Sequence, residues 1–254
     1  VLYRTLQRID FADVLAHVRA IPMSPLAAGA LMVLVVYAAL MTYEAICARF
    51  VNGPVSARRA ALAAMIAVPI GHAIGWGALS GGAVRYRLYS AVGIRPLDVG
   101  KMVLLAALPY AAGLGLLLGV AMVLRSEEAG DILRVSPDLA RSSGLALHAL
   151  HAAYVALILT RRAPVALGRV IVTLPPPNLT AVQYAIGAIE VCAGAAVLYA
   201  LLPDSADLSF LLFVGVYVLA ILAGLASSVP AGLGVFESVL LLLLKHVPPD
   251  QLLG

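Results

Sequence analysis

The stretch Ala60–Lys101, AALAAMIAVPIGHAIGWGALSGGAVRYRLYSAVGIRPLDVGK, decides how the rest of the chain is read. Its first part, residues 60–82, is apolar but punctuated by Pro69, Gly71, Gly75, Gly77, Gly81 and Gly82; its second part is basic. Such punctuation breaks helices. At membrane depth it is tolerated only where protein or a watery cavity satisfies the freed backbone groups. If residues 60–82 crossed a membrane completely, Arg49, Arg58 and Arg59 would lie on the opposite side from Arg85, Arg87, Arg95 and Lys101. That arrangement conflicts with the tendency of basic loops to stay cytoplasmic. A segment that dips in and returns keeps both basic flanks on one side, so the pattern predicts a re-entrant hairpin.

Outward from this stretch the chain is oily. Of its 254 residues 63% are hydrophobic and 12% charged, and the mean hydropathy is +1.01. Soluble domains carry roughly 45–50% apolar and about 25% charged residues, so the surplus must face lipid. A crossing helix needs about 20 apolar residues, which leaves room for about six or seven crossings. Apolar runs cover 26–48, 102–124, 144–160, 181–202 and 208–226, with a polar loop of mixed charge at 125–141. A second break, SSVPAGLGVFE, carries Pro230, Gly232 and Gly234 before a short apolar helix resumes through Leu244. The expected fold class is all-α: a polytopic transmembrane helical bundle with two Gly/Pro-interrupted segments. Residues 1–254 read as one membrane domain. Within it, residues 1–23 read either as an interfacial amphipathic helix or as a solvated connector. The chain opens at Val1 with no signal-peptide pattern, and the expectation is an excerpt of a longer protein.

Sidedness follows from charge. The 161–180 loop holds Arg161, Arg162 and Arg169 without an acid and should be cytoplasmic; the 203–207 turn holds Asp204 and Asp207 without a base and should lie outside. Counting back places 125–141 outside and 83–101 inside. The net charge of +4 points to anionic lipid as a partner. Nucleic acid is not expected, because the basic residues form no continuous stripe. Cys47 and Cys192 lie in apolar runs and read as small buried hydrophobes.

Ionisable residues inside spans cost about 2.5–3.5 kcal/mol each to insert, which makes them functional candidates. Three glutamates qualify. Glu44 ends the first span, where it either serves a site or pairs with Arg49. Glu190 sits near the middle of its span with no charge nearby and should face inward. Glu237 follows the second break, where it either binds a ligand or holds freed backbone donors at a helix start. The block Arg85-Tyr86-Arg87 with Tyr89 and Ser90 alternates planar donors with amphipathic rings. Arginine pairs with phosphate through two hydrogen bonds, so a lipid phosphate is a natural ligand; the alternative is that these arginines only fix topology. His148 and His151 share a helix face but lack companion ligands, so no metal is expected. The chain contains no nucleophile elbow, phosphate-binding glycine loop or zinc protease motif, and no catalytic residue or cofactor is expected. Paired interrupted segments in the two halves point to a binding site at mid-membrane, as in transporters.

The run GWGALSGGAVRYRLYSAVGI, with TYEA upstream and SSVPAGLGVFE downstream, resembles the membrane (flippase) domain of the bacterial multiple peptide resistance factor family. This is the bifunctional lysylphosphatidylglycerol synthetase/flippase family. The resemblance covers nearly the whole chain; the RYRLYS block is the more specific part and PAGLGVFE the more widely shared. It implies a multi-pass protein of the bacterial cytoplasmic (inner) membrane. That protein would move aminoacylated phosphatidylglycerol to the outer leaflet and so confer resistance to cationic antimicrobial peptides. A C-terminal synthase domain would make the lipid from aminoacyl-tRNA. The chain departs from the family pattern at Glu44, where an aspartate usually follows the tyrosine, and at PAGLG, where a second glycine is common. A headgroup carrying a phosphate and ammonium groups would then meet Arg85, Arg87, Tyr86, Tyr89 and Ser90 on one side and Tyr43, Glu44, Glu190 and Glu237 on the other. Anionic and aminoacylated phospholipids are the expected partners, and homo-oligomerisation is left open. Three other readings stand beside this one: a lipid-binding module serving an attached phosphatidylglycerol lysyltransferase, a secondary transporter of a small anion, and a membrane enzyme acting on lipid heads. The last lacks a nucleophile or metal centre.

Overall fold

A computed structural model describes residues 21–51, 55–74, 77–160, 165–167, 170–172, 174–202, 208–245 and 247. The expected interfacial segment at 1–23 therefore lies almost wholly outside the described residues, as do Gly75, Arg161, Arg162, Arg169, Asp204 and Asp207. The chain is an all-α membrane bundle. Its helices are α1 (Met23–Phe50), α2 (Ala57–Ile74), α3 (Gly77–Ser90), α4 (Pro96–Leu124), α5 (Ser126–Leu133) and α6 (Pro137–Thr160). Then come α7 (Pro177–Tyr199), α8 (Phe210–Ser227) and α9 (Val235–Leu243). Six of them, α1, α2, α4, α6, α7 and α8, are long and apolar enough to cross a membrane.

Local chemistry sets where these helices begin. Pro96, Pro137 and Pro177 each open a span, at a position where the missing N–H costs nothing and φ is already helical. Ser56, Ser136 and Ser209 precede α2, α6 and α8, and each accepts a backbone N–H from three residues on. The spans therefore start earlier than apolarity alone implies: α4 begins six residues before Met102 and α6 seven before Gly144.

The polar loop expected at 125–141 is in fact largely helical, with α5 filling Ser126–Leu133 and packing on α6. Glu127 and Glu128 in its first turn favour a helix start, and Arg125 pairs with Glu128 at 3.0 Å. The backbone amide at Glu128 and the Arg125 guanidinium hold the Glu128 carboxyl below its ordinary range. Part of the 163–180 loop forms a short antiparallel ribbon, β1 (Val165–Leu167) against β2 (Val170–Val172).

The helices form two packed groups that share α4 and α7. One core gathers Tyr43, Cys47, Ala63, Tyr89, Met102 and Ile186 from α1, α2, α3, α4 and α7. The other gathers Leu114, Val191, Phe213, Val214 and Leu240 from α4, α7, α8 and α9. Between the groups α4 and α7 touch backbone to backbone: Gly187 lies against the Pro109 carbonyl and Gly113 so closely that neither glycine has room for a Cβ. Close approach of this kind substitutes for the hydrophobic drive that lipid removes. The Gly115-xxx-Gly119 pair serves differently from a bare helix contact. It makes room for the rings of His151 and His148 on α6, and a Cβ at either glycine would stand 2.6 or 2.8 Å from them.

Both interruptions exist, and the first falls inside the expected 60–82 segment, but not at the residues expected to break it. Pro69 and Gly71 sit inside α2, and Gly81 and Gly82 inside α3; none of the four breaks a helix. The change of direction falls between Ile74 and Gly77. Pro69 lies on the exposed face of α2, and the helix continues through it. The contacts of Gly81 with the Ala67 carbonyl and of Ser80 with the Gly71 carbonyl fold α3 back antiparallel onto α2. The chain thus returns to the side it left. Its arms are 18 and 14 residues, about 27 and 21 Å long at 1.5 Å per residue.

The second interruption lies where the sequence put it. Ser228 (φ 57°) ends α8 and Pro230–Gly232 makes a single 3-10 turn. Ala231 (φ 55°), Gly232 (φ 65°) and Gly234 (φ 79°) all take left-handed backbone, which the two glycines adopt without strain. The turn packs against α2, and α9 folds back on α8.

Candidate functional site

The RYRLYS block lies on a helix, not in a loop, and this decides which of its residues are drawn inward. On α3 the positions Gly81, Arg85 and Tyr89 recur every four residues and form one buried stripe. Tyr86, Arg87 and Ser90 fall on the outer surface; Tyr86 is 48% exposed. The Ser90 hydroxyl turns back to the Arg87 carbonyl.

The buried stripe meets Glu44 of α1. Arg85 donates from Nε to Oε1 at 2.9 Å and to Oε2 at 3.1 Å, and from Nη2 to Oε2 at 2.8 Å. Tyr89 donates its hydroxyl to Oε1 at 2.8 Å. Glu44 is 2% and Arg85 7% exposed. Gly81 makes the geometry feasible, since a Cβ there would stand 3.4 Å from an Arg85 guanidinium nitrogen and 2.9 Å from the Ala67 carbonyl. Between the two readings of Glu44, its partner is Arg85 rather than Arg49.

Beside this pair, Tyr43 accepts a hydrogen bond at 2.7 Å from Gln183 on α7, and Gln183 is 1% exposed. Gln183 escaped the sequence reading; a lone amide in an apolar run was the signal available. Together Glu44, Arg85, Tyr89, Tyr43 and Gln183 tie α1, α3 and α7 at one level. Glu44 is six residues from the end of α1 and Arg85 five from the end of α3. Both therefore lie about 8–9 Å in from helix ends that face the same side. Nearer those ends, Asp98 at the start of α4 holds Arg95 and Lys101, each at 2.9 Å.

The other two glutamates are not part of this cluster. Glu237 reaches back to accept the Gly234 N–H at 2.7 Å, and Ser238 bonds the Gly234 carbonyl, so Glu237 fills the helix-start role. Glu190 lies two helical turns along α7 from Gln183 and makes no ion pair among the described residues. His148 and His151 do share a face, with His151 Nδ1 bonded to the Tyr184 hydroxyl at 2.7 Å. Among the described residues no group of three His, Cys, Asp or Glu side chains could hold a metal.

Chemically the cluster is a desolvated ion pair in which both Glu44 oxygens are engaged, by Arg85 Nε and Nη2 and by the Tyr89 hydroxyl. Breaking such a pair one-sidedly is costly, about 3–5 kcal/mol, because a bare charge is left behind. A ligand that opens it must therefore bring both an anion for Arg85 and a cation for Glu44.

No family model matches the chain. The chain is 27% identical, over 239 residues, to an uncharacterized protein of the cyanobacterium Synechocystis, and the match covers 94% of this chain and 74% of that relative. The similarity thus runs through both packed groups and both interruptions.

Proposed function

We propose that the bundle translocates aminoacylated phosphatidylglycerol, with lysyl-phosphatidylglycerol as the fitting substrate, from the inner to the outer leaflet of a bacterial cytoplasmic membrane. The buried Glu44–Arg85 pair, set about 8–9 Å in from helix ends on one side, is the observation that carries this reading. A headgroup with a phosphate and ammonium groups can replace each partner of the pair with a like-charged group of its own. The phosphate takes the Arg85 fork and an ammonium takes the Glu44 carboxylate. The exchange keeps every buried charge compensated, so it avoids the cost of one-sided opening. Tyr89 moves its hydrogen bond from carboxylate to phosphate. Arg87, Tyr86 and Ser90 on the outer face of α3 meet the headgroup before entry. The two folded-back elements, α2–α3 and α8–α9, provide a polar groove while acyl tails stay in lipid. Resistance to cationic antimicrobial peptides follows from the positive charge delivered to the outer leaflet.

The full engagement of both Glu44 oxygens favours one alternative, in which the pair is a permanent latch. The bundle then only holds lipid for an attached lysyltransferase. Reconstitution separates the two. In liposomes loaded with fluorescent lysyl-phosphatidylglycerol, the protein should expose the label to an impermeant quencher. Glu44→Gln and Arg85→Gln should abolish exposure at equal incorporation, while Glu237→Gln should retain it. Binding without exposure would sink the translocation reading and leave the holding module.

A further inference from the structure

Three polar side chains stand within two residues of the centres of three different spans: Tyr110 in α4, Glu190 in α7 and Tyr217 in α8. Packing brings them together. On α7 the positions 187, 190 and 194 lie on one face. Gly187 meets Pro109 and Gly113 of α4, and Gly194 makes room for the Tyr217 hydroxyl of α8, which would stand 2.7 Å from a Cβ there. Glu190 lies between these two contacts. Tyr110 and Tyr217 both pack against the core that holds Val191, the residue after Glu190. Phe236 of α9 stacks edge-on against Tyr217, with centroids 5.9 Å apart, so the group adjoins the helix that follows the second interruption.

Among the described residues no cation pairs with Glu190. Around it α8 carries no charged residue, α4 carries only Asp98 and Lys101 in its first turns, and α9 carries Glu237, bonded to Gly234. On α6 His148 lies over Gly119 and His151 bonds Tyr184. The contacts Gly29–Val197 and Tyr43–Gln183 set the register of α1 against α7 and bring Tyr37 to the height of Glu190. A carboxylate with no counter-charge in an apolar interior is far cheaper to keep as the neutral acid. Phenols suit both forms, donating to the anion and accepting from the acid. One carboxylate and two phenols offer too few oxygens for a hard metal cation, which takes about six.

We infer that Glu190, with Tyr110 and Tyr217, forms a proton-binding site at the bilayer midplane, separate from the Glu44–Arg85 pair. Gly187 fixes α7 against α4 beside it, while Phe236 links it to the α8–α9 turn, so gain or loss of this proton biases how α9 packs. The site deepens the transport reading by naming the coupling ion, yet it can be examined with no lipid substrate present.

The test is infrared difference spectroscopy of the full chain in nanodiscs of phosphatidylcholine, titrated from acid to alkaline pH without aminoacylated lipid. A protonated-carboxyl stretch should persist at neutral pH. It should vanish in Glu190→Gln, remain in Glu237→Gln, and move in frequency in Tyr110→Phe and Tyr217→Phe. Glu190→Asp should keep a carboxyl band at a shifted frequency, which guards against misfolding of the amide variant. A neutral-pH band untouched in both Glu190 variants, no band at all, or a band that responds to sodium at fixed pH would overturn the inference. Failure of the liposome assay with this band intact would remove the lipid substrate and leave the proton site.

Discussion

Gln183 donates to the Tyr43 hydroxyl across 140 positions of sequence, at 2.7 Å, and so fixes α7 against the helix that carries Glu44. The two residues are buried, so neither can turn to water for a partner. Removing one side of such a bond leaves a polar atom stranded, at a cost of about 1–3 kcal/mol. Gln183→Leu should therefore lower the thermal midpoint of the detergent-purified protein, and Tyr43→Phe added to it should recover most of the loss. Additive losses would mean that the bond contributes nothing.

The Glu44–Arg85 pair invites the same logic with a larger magnitude. Glu44→Leu or Arg85→Leu alone should destabilise by about 3–5 kcal/mol, while the double replacement should cost much less than the sum. Unfolding of the four proteins in a double-mutant cycle measures the coupling. A coupling near zero would mean that solvent or lipid headgroups already screen the pair.

Packing between α4 and α7 makes a third expectation. A methyl group at Gly187 would collide with the Pro109 carbonyl, a backbone atom that cannot rotate away. Gly187→Ala should destabilise by about 1–3 kcal/mol. Gly100→Ala, in the same α4 but with open space at the Cβ position, should be neutral or stabilising by up to about 1 kcal/mol through helix propensity. Thermal unfolding of the pair gives the comparison directly.

The fold-back of α3 onto α2 fixes a topological expectation. Ser56 and Ser90 flank the hairpin and both are exposed. With Cys47 and Cys192 replaced by alanine, Ser56→Cys and Ser90→Cys should react with an impermeant maleimide from the same side of sealed vesicles. Labelling from opposite sides would mean that the two helices do not form a hairpin.

Much of the fold was legible in the sequence because lipid imposes one crude requirement on it. Apolar runs of crossing length must be helices, since no other open segment satisfies its own backbone in oil. The second interruption was legible for a similar reason: Pro230, Gly232 and Gly234 crowd into five residues, and left-handed backbone follows. The first was legible as a segment, 60–82, but not in the residues that make it. Pro69, Gly71, Gly81 and Gly82 carry the same signal yet stay helical, and Gly81 and Gly82 serve close contact with Ala67 and Val103 instead of a turn.

The sequence by itself determined that Glu44 is costly to insert and singled out Arg85 and Tyr89 as polar groups of interest. Only the tertiary structure decided that they compensate one another, that Arg87 two residues away stays outside, and that Glu237 caps its own helix. The reason is geometric. A helix distributes neighbouring residues over different faces, and which face turns inward depends on contacts such as Gly81 on Ala67 that join positions far apart in the chain.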